Sequence, residues 1–179
     1  MSGLLKLALG VDWLSGRLSK IAGWAVLLAS IISAGNAFVR YGLDVSSNAW
    51  LEIQWYLFAA TVMLGAPLVL KFNEHVRVDI LYGKLSSRGQ VYVDIFGLLF
   101  FLLPVMGLMT WLTWPFFWKM LESGEMSGNI GGLIRWPAAL LMPVGFGAMV
   151  LQGLAEIVKR VAFLRGEFAM NTHYEKPLQ

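Results

Sequence analysis

Residues 95–118 read IFGLLFFLLPVMGLMTWLTWPFFW, twenty-four consecutive positions without a charge. At about 1.5 Å per residue a helix of that length reaches about 36 Å, enough to cross a hydrocarbon core about 30 Å thick. One mid-span charge costs ~2.5–3.5 kcal/mol on an insertion scale, which offsets about six Leu-like residues, so an uninterrupted run is a strong sign of insertion. Three more charge-free windows occur, Ile21–Val39, Ile53–Leu70 and Trp136–Ala155, of 19, 18 and 20 residues. The sequence therefore predicts an all-α integral membrane protein with four transmembrane helices.

Composition agrees and excludes several classes. Of 179 residues, 58% are hydrophobic and only 14% are charged, whereas a soluble domain carries about a quarter charged. There is no Cys, which removes disulfides, thiolate zinc sites, iron–sulfur clusters and cysteine nucleophiles. The two histidines, His75 and His173, lie outside the windows, so paired haem ligation within the membrane lacks its ligands. No cofactor or metal is expected in this chain. The net charge of +3 comes from basic residues scattered beside the windows, which points to the bilayer rather than to nucleic acid as partner. No segment outside the windows exceeds 24 residues, too short to build the core of a catalytic domain, so the chain is not expected to be an enzyme.

The basic residues also predict orientation. Lys6, Arg17 and Lys20 precede the first window, Lys71, Arg77, Lys84 and Arg88 follow the second, and Lys159, Arg160, Arg165 and Lys176 follow the fourth. Only Arg40, Lys119 and Arg135 fall on the opposite side. Eleven against three places both termini in the cytoplasm by the positive-inside rule. Trp50, Trp55, Trp111, Trp114, Trp118 and Trp136 gather near the outer ends and Trp24 near the inner end of the first span, as amphipathic rings do at membrane interfaces. A 19-residue first window exceeds the 7–15 residues of a signal peptide's apolar region, so it is expected to remain as a helix.

The division expected is a cytoplasmic leader over 1–20, a transmembrane domain over 21–158 and a cytoplasmic tail over 159–179. Within the leader, Leu4, Leu7, Val11, Leu14 and Leu18 share one helical face, and Asp12, Ser15, Gly16 and Ser19 share another. That pattern predicts a short amphipathic helix lying in the inner interface. Pro67, Pro104 and Pro143 interrupt three spans and are expected to kink them. Gly65, Gly97, Gly107, Gly145 and Gly147 are expected to let neighbouring backbones approach.

A transporter places ionisable groups in mid-span along its ion or substrate path, and these windows contain none. Their polar groups are Ser30, Ser33, Asn36, Gln54, Thr61, Thr110, Thr113 and Gln152. A self-assembling channel or small carrier would have to line its pathway with Asn36, Thr61, Thr110 and Gln152. At the outer ends, Arg40 and Glu52 flank a short loop and are expected to pair, the alternative being that Glu52, Gln54 and Trp55 anchor a partner. On the inner side Asn73, His75, Arg77 and Asp79 alternate, so an extended stretch presents all four on one side, and Asp94 is available to pair with Arg77. His75 with Glu74 or Asp79 has the residue types for proton transfer, but no nucleophile, metal set or cofactor motif accompanies them.

Three short patterns coincide in order: Glu52-Ile53-Gln54-Trp55 opening the second span, Asn73-Glu74-His75-Val76-Arg77-Val78-Asp79 following it, and Pro143-Val144-Gly145 in the fourth. Together they resemble the small Q-type, DctQ-like membrane subunit of tripartite ATP-independent periplasmic (TRAP) transporters. The resemblance implies a bacterial or archaeal cytoplasmic membrane, a separate large M-type subunit and a periplasmic substrate-binding protein. It further implies import of an organic anion, commonly a carboxylate, coupled to an ion, usually sodium, that the large subunit binds. The small subunit would be a fixed scaffold for an elevator-like movement. By the same resemblance Glu52, Trp55, His75, Arg77 and Asp79 are candidate assembly residues, and Arg40, Asn73 and Asp94, read above as their neighbours or partners, join them as candidate structural or subunit-interface residues rather than transport-site residues.

Overall fold

The computed structural model describes residues 3–45, 47–72, 82 and 85–169. These form four helices: α1 Gly3–Leu43, α2 Asn48–Phe72, α3 Ser87–Ser123 and α4 Trp136–Leu164. Each is long and apolar enough to cross a membrane, so the four windows become four helices. The inner motif Asn73–Asp79, with Asn73, His75, Arg77 and Asp79, lies outside the described residues.

The first helix differs from expectation. Instead of an interfacial leader followed by a separate span, α1 is one unbroken helix of 41 residues, about 60 Å long. Residues 18–22 contain neither Gly nor Pro, so nothing breaks the ladder between leader and span. Its buried face explains why it continues. Ala8, Ser15, Ala22, Ala29 and Asn36 are buried at an unvarying spacing of seven, with Leu5, Asp12 and Ala25 beside them. A seven-residue seam of mostly small side chains is the pattern of close, left-handed helix packing. The leader's polar face is thus turned into the protein, leaving Leu4, Leu7, Trp13 and Leu14 exposed.

Helix α4 is central and packs on α1, α2 and α3, whereas α3 packs chiefly along α4. Close approach at α4 depends on two glycines. A Cβ on Gly145 would stand 2.6 Å from Met63 Cβ and 2.9 Å from Met63 O of α2, and one on Gly153 would stand 2.8 Å from Leu102 Cδ2 of α3. Gly145 therefore packs as expected. Gly97 and Gly107 do not, since nothing lies within 4 Å of a Cβ at either, and Gly153 takes the role instead.

Helix α3 contains a π-helical turn over Leu98–Leu102, where Leu103 N–H donates to Leu98 O. The wide turn lies just before Pro104, which lacks a donor and whose ring crowds the carbonyl four residues back. Ser86 opens the helix by accepting from Gly89 N–H at 3.3 Å. Gly124 closes it in the left-handed conformation at φ 58°, where a Cβ would be strained.

Candidate functional site

The polar side chains gather at the two ends of the fold. At the end expected from the sequence to be the inner one, α4 presents Gln152, Glu156, Lys159 and Arg160, spaced so that they share one face over two turns. Gln152 Nε2 donates to Asp12 Oδ1 and to Glu156 Oε1, each at 2.9 Å, and its Oε1 accepts from Ser15 Oγ at 2.7 Å. Lys159 Nζ donates to Asp12 Oδ1 and Oδ2 at 2.9 and 3.1 Å, and also to Glu156. Arg160 pairs with Glu156 through Nη1 and with Asp94 through Nε and Nη2 at 3.1 and 3.0 Å. Tyr82 donates its hydroxyl to Asp94 Oδ1 at 3.1 Å, and Lys71 Nζ stands 3.8 Å from Asp12.

This network ties α1, α2, α3 and α4 together with three carboxylates, Asp12, Asp94 and Glu156, facing three cations, Lys71, Lys159 and Arg160. Gln152 is 0% exposed, Glu156 2%, Arg160 4% and Lys159 5%. A buried charge is tolerable only when paired and hydrogen-bonded, and among the described residues these contacts pair each buried charge of the network with an opposite one.

At the opposite end, expected to be the outer one, α2 presents Asn48, Glu52 and Tyr56 at a spacing of four, one helical face. All three grip the connection between α3 and α4. Asn48 Nδ2 donates to Ile130 O at 2.9 Å and Tyr56 OH to Ile134 O at 3.1 Å. The buried Glu52 carboxylate accepts from Asn129 Nδ2 and Leu133 N–H, each at 2.7 Å, and from Ser127 Oγ. The connection is itself a small hairpin, with a bridge between Met126 and Ile134, Ser127 N–H donating to Leu133 O at 2.9 Å, and an Arg135–Glu125 ion pair. Gly131, at φ 70°, makes its turn. A Cβ on Gly132 would lie 2.9 Å from Glu52 Oε1, so only glycine fits beside the carboxylate.

Replacing Glu52 with Gln is expected to loosen this hairpin. The carboxylate only accepts, whereas an amide must turn its NH2 either toward Leu133 N–H, breaking that contact, or toward Asn129 and Ser127, which must then reorient to accept. Helix content should stay constant while limited proteolysis cuts between Met126 and Ile134 faster than in the parent. An identical digestion pattern would mean that the hairpin holds itself without Glu52.

The expected Arg40–Glu52 pair is replaced by these contacts: Glu52 is engaged by the hairpin and Arg40 is exposed. Asp94 is held by Arg160 and Tyr82, while Arg77, its expected partner, lies outside the described residues. Trp55 is 64% exposed on α2. Sequence reasoning assigned no role in the fold to Glu156, Lys159 and Arg160, because a charge-free window ends at the first charge while α4 continues to Leu164. The signal was present in their spacing with Gln152 and in the Asp12–Ser15 face of the leader.

Five of the other polar groups of the spans bond to the backbone of their own helix. Ser30, Gln54, Thr61, Thr110 and Thr113 donate to the carbonyls of Val26, Trp50, Leu57, Met106 and Met109, four residues back, at 2.7–3.0 Å. Thr61 also reaches Ala22 O across to α1 at 3.5 Å.

Long apolar helices, stitched to one another by polar contacts at both ends, define a polytopic helical membrane protein. Residues 29–163 match the family described as tripartite ATP-independent periplasmic transporters, DctQ component. The chain belongs to that family, the small permease subunits of TRAP transporters, and is a transporter subunit rather than an enzyme. It is similar to a TRAP transporter small permease protein of Haemophilus influenzae, at 40% identity over 63 residues, 35% of this chain and 39% of that relative. The match thus spans well under half of the relative's length. No solved structure matches. As one component of a tripartite system, the protein implies other TRAP subunits.

Proposed function

We propose that this chain is the stationary scaffold of a TRAP transporter that imports an organic anion, commonly a carboxylate. It would hold a separate large M-type subunit whose moving element carries substrate and coupling ion, usually sodium, while a periplasmic binding protein delivers the substrate. The carrying observation is that, among the described residues, the buried charges at one end of the four helices pair with one another, while the buried carboxylate apart from them, Glu52, is taken up by the hairpin. Among the described residues Asp12, Asp94 and Glu156 face Lys71, Lys159 and Arg160 in one network, and they lie toward one end of the helices rather than in mid-span, where ionisable groups mark an ion or substrate path. The groove of about 400 Å³ between α3 and α4, lined by Gly107, Trp111, Trp114 and Gly147, offers no cation to a carboxylate. The outer surface of α3 is apolar along its length, with Phe96, Phe100, Phe101, Trp111 and Trp114 exposed, as suits lipid or another subunit's helices. Both termini would face the cytoplasm, on the side with eleven of the fourteen basic residues.

Copurification in mild detergent is expected to retain a large membrane subunit at one to one, and proteoliposomes holding this chain alone should show no anion uptake above empty vesicles. Uptake by the chain alone would instead establish a self-assembling carrier and overturn the scaffold reading.

A further inference from the structure

Three cations on α1 stand apart from the inner network. Lys6, Arg17 and Lys20 are exposed and form no ion pair with any described residue. With Trp13, which is 63% exposed, they follow one another at spacings of seven, four and three, so they share one helical face. That face is distinct from the seam of Leu5, Ala8, Asp12 and Ser15, which is buried. The Arg17 guanidinium lies over the Trp13 ring, 4.9 Å from its centroid, leaving its edge free to donate.

The depth of this face is fixed independently of its composition. Ser15 is bonded to Gln152 and Asp12 to Lys159, which sets this stretch of α1 level with the place where α4 leaves its charge-free window. Lys20 directly precedes the first window at Ile21. Trp13, Arg17 and Lys20 therefore sit at the headgroup level, with flexible basic side chains able to reach outward to phosphate. The exposed Leu4, Leu7 and Leu14 lie to one side of the same helix, apart from the basic face.

We propose that Trp13, Arg17 and Lys20 form a binding site for an anionic phospholipid, with Arg17 and Lys20 donating to the phosphodiester and the Trp13 ring holding the Arg17 guanidinium in place from the solvent side. Lys6, two turns away, extends the basic stripe to a neighbouring headgroup. The inference goes beyond the scaffold reading and stands whether or not a large subunit is bound. Each interfacial cation is worth about five-fold in affinity for an anionic lipid, so removing two should cost roughly 30-fold.

The test is native mass spectrometry of the full chain in detergent, titrated with phosphatidylglycerol or phosphatidylcholine. The parent is expected to retain one phosphatidylglycerol in preference to phosphatidylcholine, and R17Q/K20Q to need about 30-fold more of it for the same occupancy. R17K/K20R, which keeps both charges, should bind as the parent does. R88Q/R165Q removes two exposed cations elsewhere and should also leave the affinity unchanged. An equal loss in R88Q/R165Q would show general attraction to a basic protein and overturn the site. Equal retention of phosphatidylcholine, or displacement of the lipid by millimolar inorganic phosphate, would overturn it as well.

Discussion

Replacing Lys159 with Met should lower the thermal midpoint of the detergent-solubilised chain by roughly 6–20 °C. The Lys159 ammonium is the only group that reaches both Asp12 oxygens and Glu156 together among the described contacts. Without it three carboxylates face two cations. Lys71, at 3.8 Å and 29% exposed at its side chain, is too distant and too hydrated to take over. Removing one partner of a buried pair costs ~3–5 kcal/mol, because the other charge stays in a poor solvent. A chain of this size moves ~2–4 °C per kcal/mol. The companion variant separates charge imbalance from lost packing. Asp12→Asn with Lys159→Met restores two against two, and Asn keeps an oxygen for Gln152, so the double variant should recover much of the loss. A midpoint within about 2 °C of the parent for Lys159→Met, or a double variant no better than the single, would mean that the network is not energetically coupled.

That prediction rests on residues whose place in the fold the sequence did not display. The four helices were legible because insertion into a hydrocarbon core leaves a mark along the chain itself, runs without charge about 20 residues long. The network carries no such mark: its members sit at positions 12, 71, 94 and 156–160, and only the packing of four helices joins them. Counting Lys159 and Arg160 as basic residues of a tail was reasonable on spacing alone, since ionised residues beyond an apolar window are usually hydrated. Their burial follows from α1 running unbroken from Gly3 with Asp12 turned into the protein, and a helix end is the least legible feature of a sequence. Glu52 was legible as important but not in its contacts. An ion pair with nearby Arg40 was expected, yet the carboxylate is bound by neutral donors of a hairpin some eighty residues away.

Gly145, in Pro143-Val144-Gly145, stands where α4 meets the backbone of α2. Gly145→Ala is expected to lower the midpoint by about 2–12 °C, and Gly145→Leu by more. A Cβ at 145 would meet Met63 Cβ at 2.6 Å, Met63 O at 2.9 Å and Met63 Cα at 3.0 Å. None of these atoms can swing aside by rotating a side chain, so the helices themselves must separate. Gly147, two residues along the same helix, provides the control. A Cβ there would meet only Thr110 Cγ2 at an ordinary 3.8 Å, so Gly147→Ala should be neutral or stabilising by up to ~1 kcal/mol, since Ala is the better helix former. Truncating Met63 to Ala should not rescue Gly145→Ala, because its Cβ and backbone remain. Full rescue would show that a movable side chain, not the backbone, closes the gap. The position of the crossing gives the contact its consequence: α2 carries the outer clamp through Glu52 and α4 carries the inner network through Glu156 and Lys159. Wedging these helices apart at Gly145 should therefore loosen both ends together, and proteolysis of the outer hairpin in Gly145→Leu should rise along with the fall in midpoint.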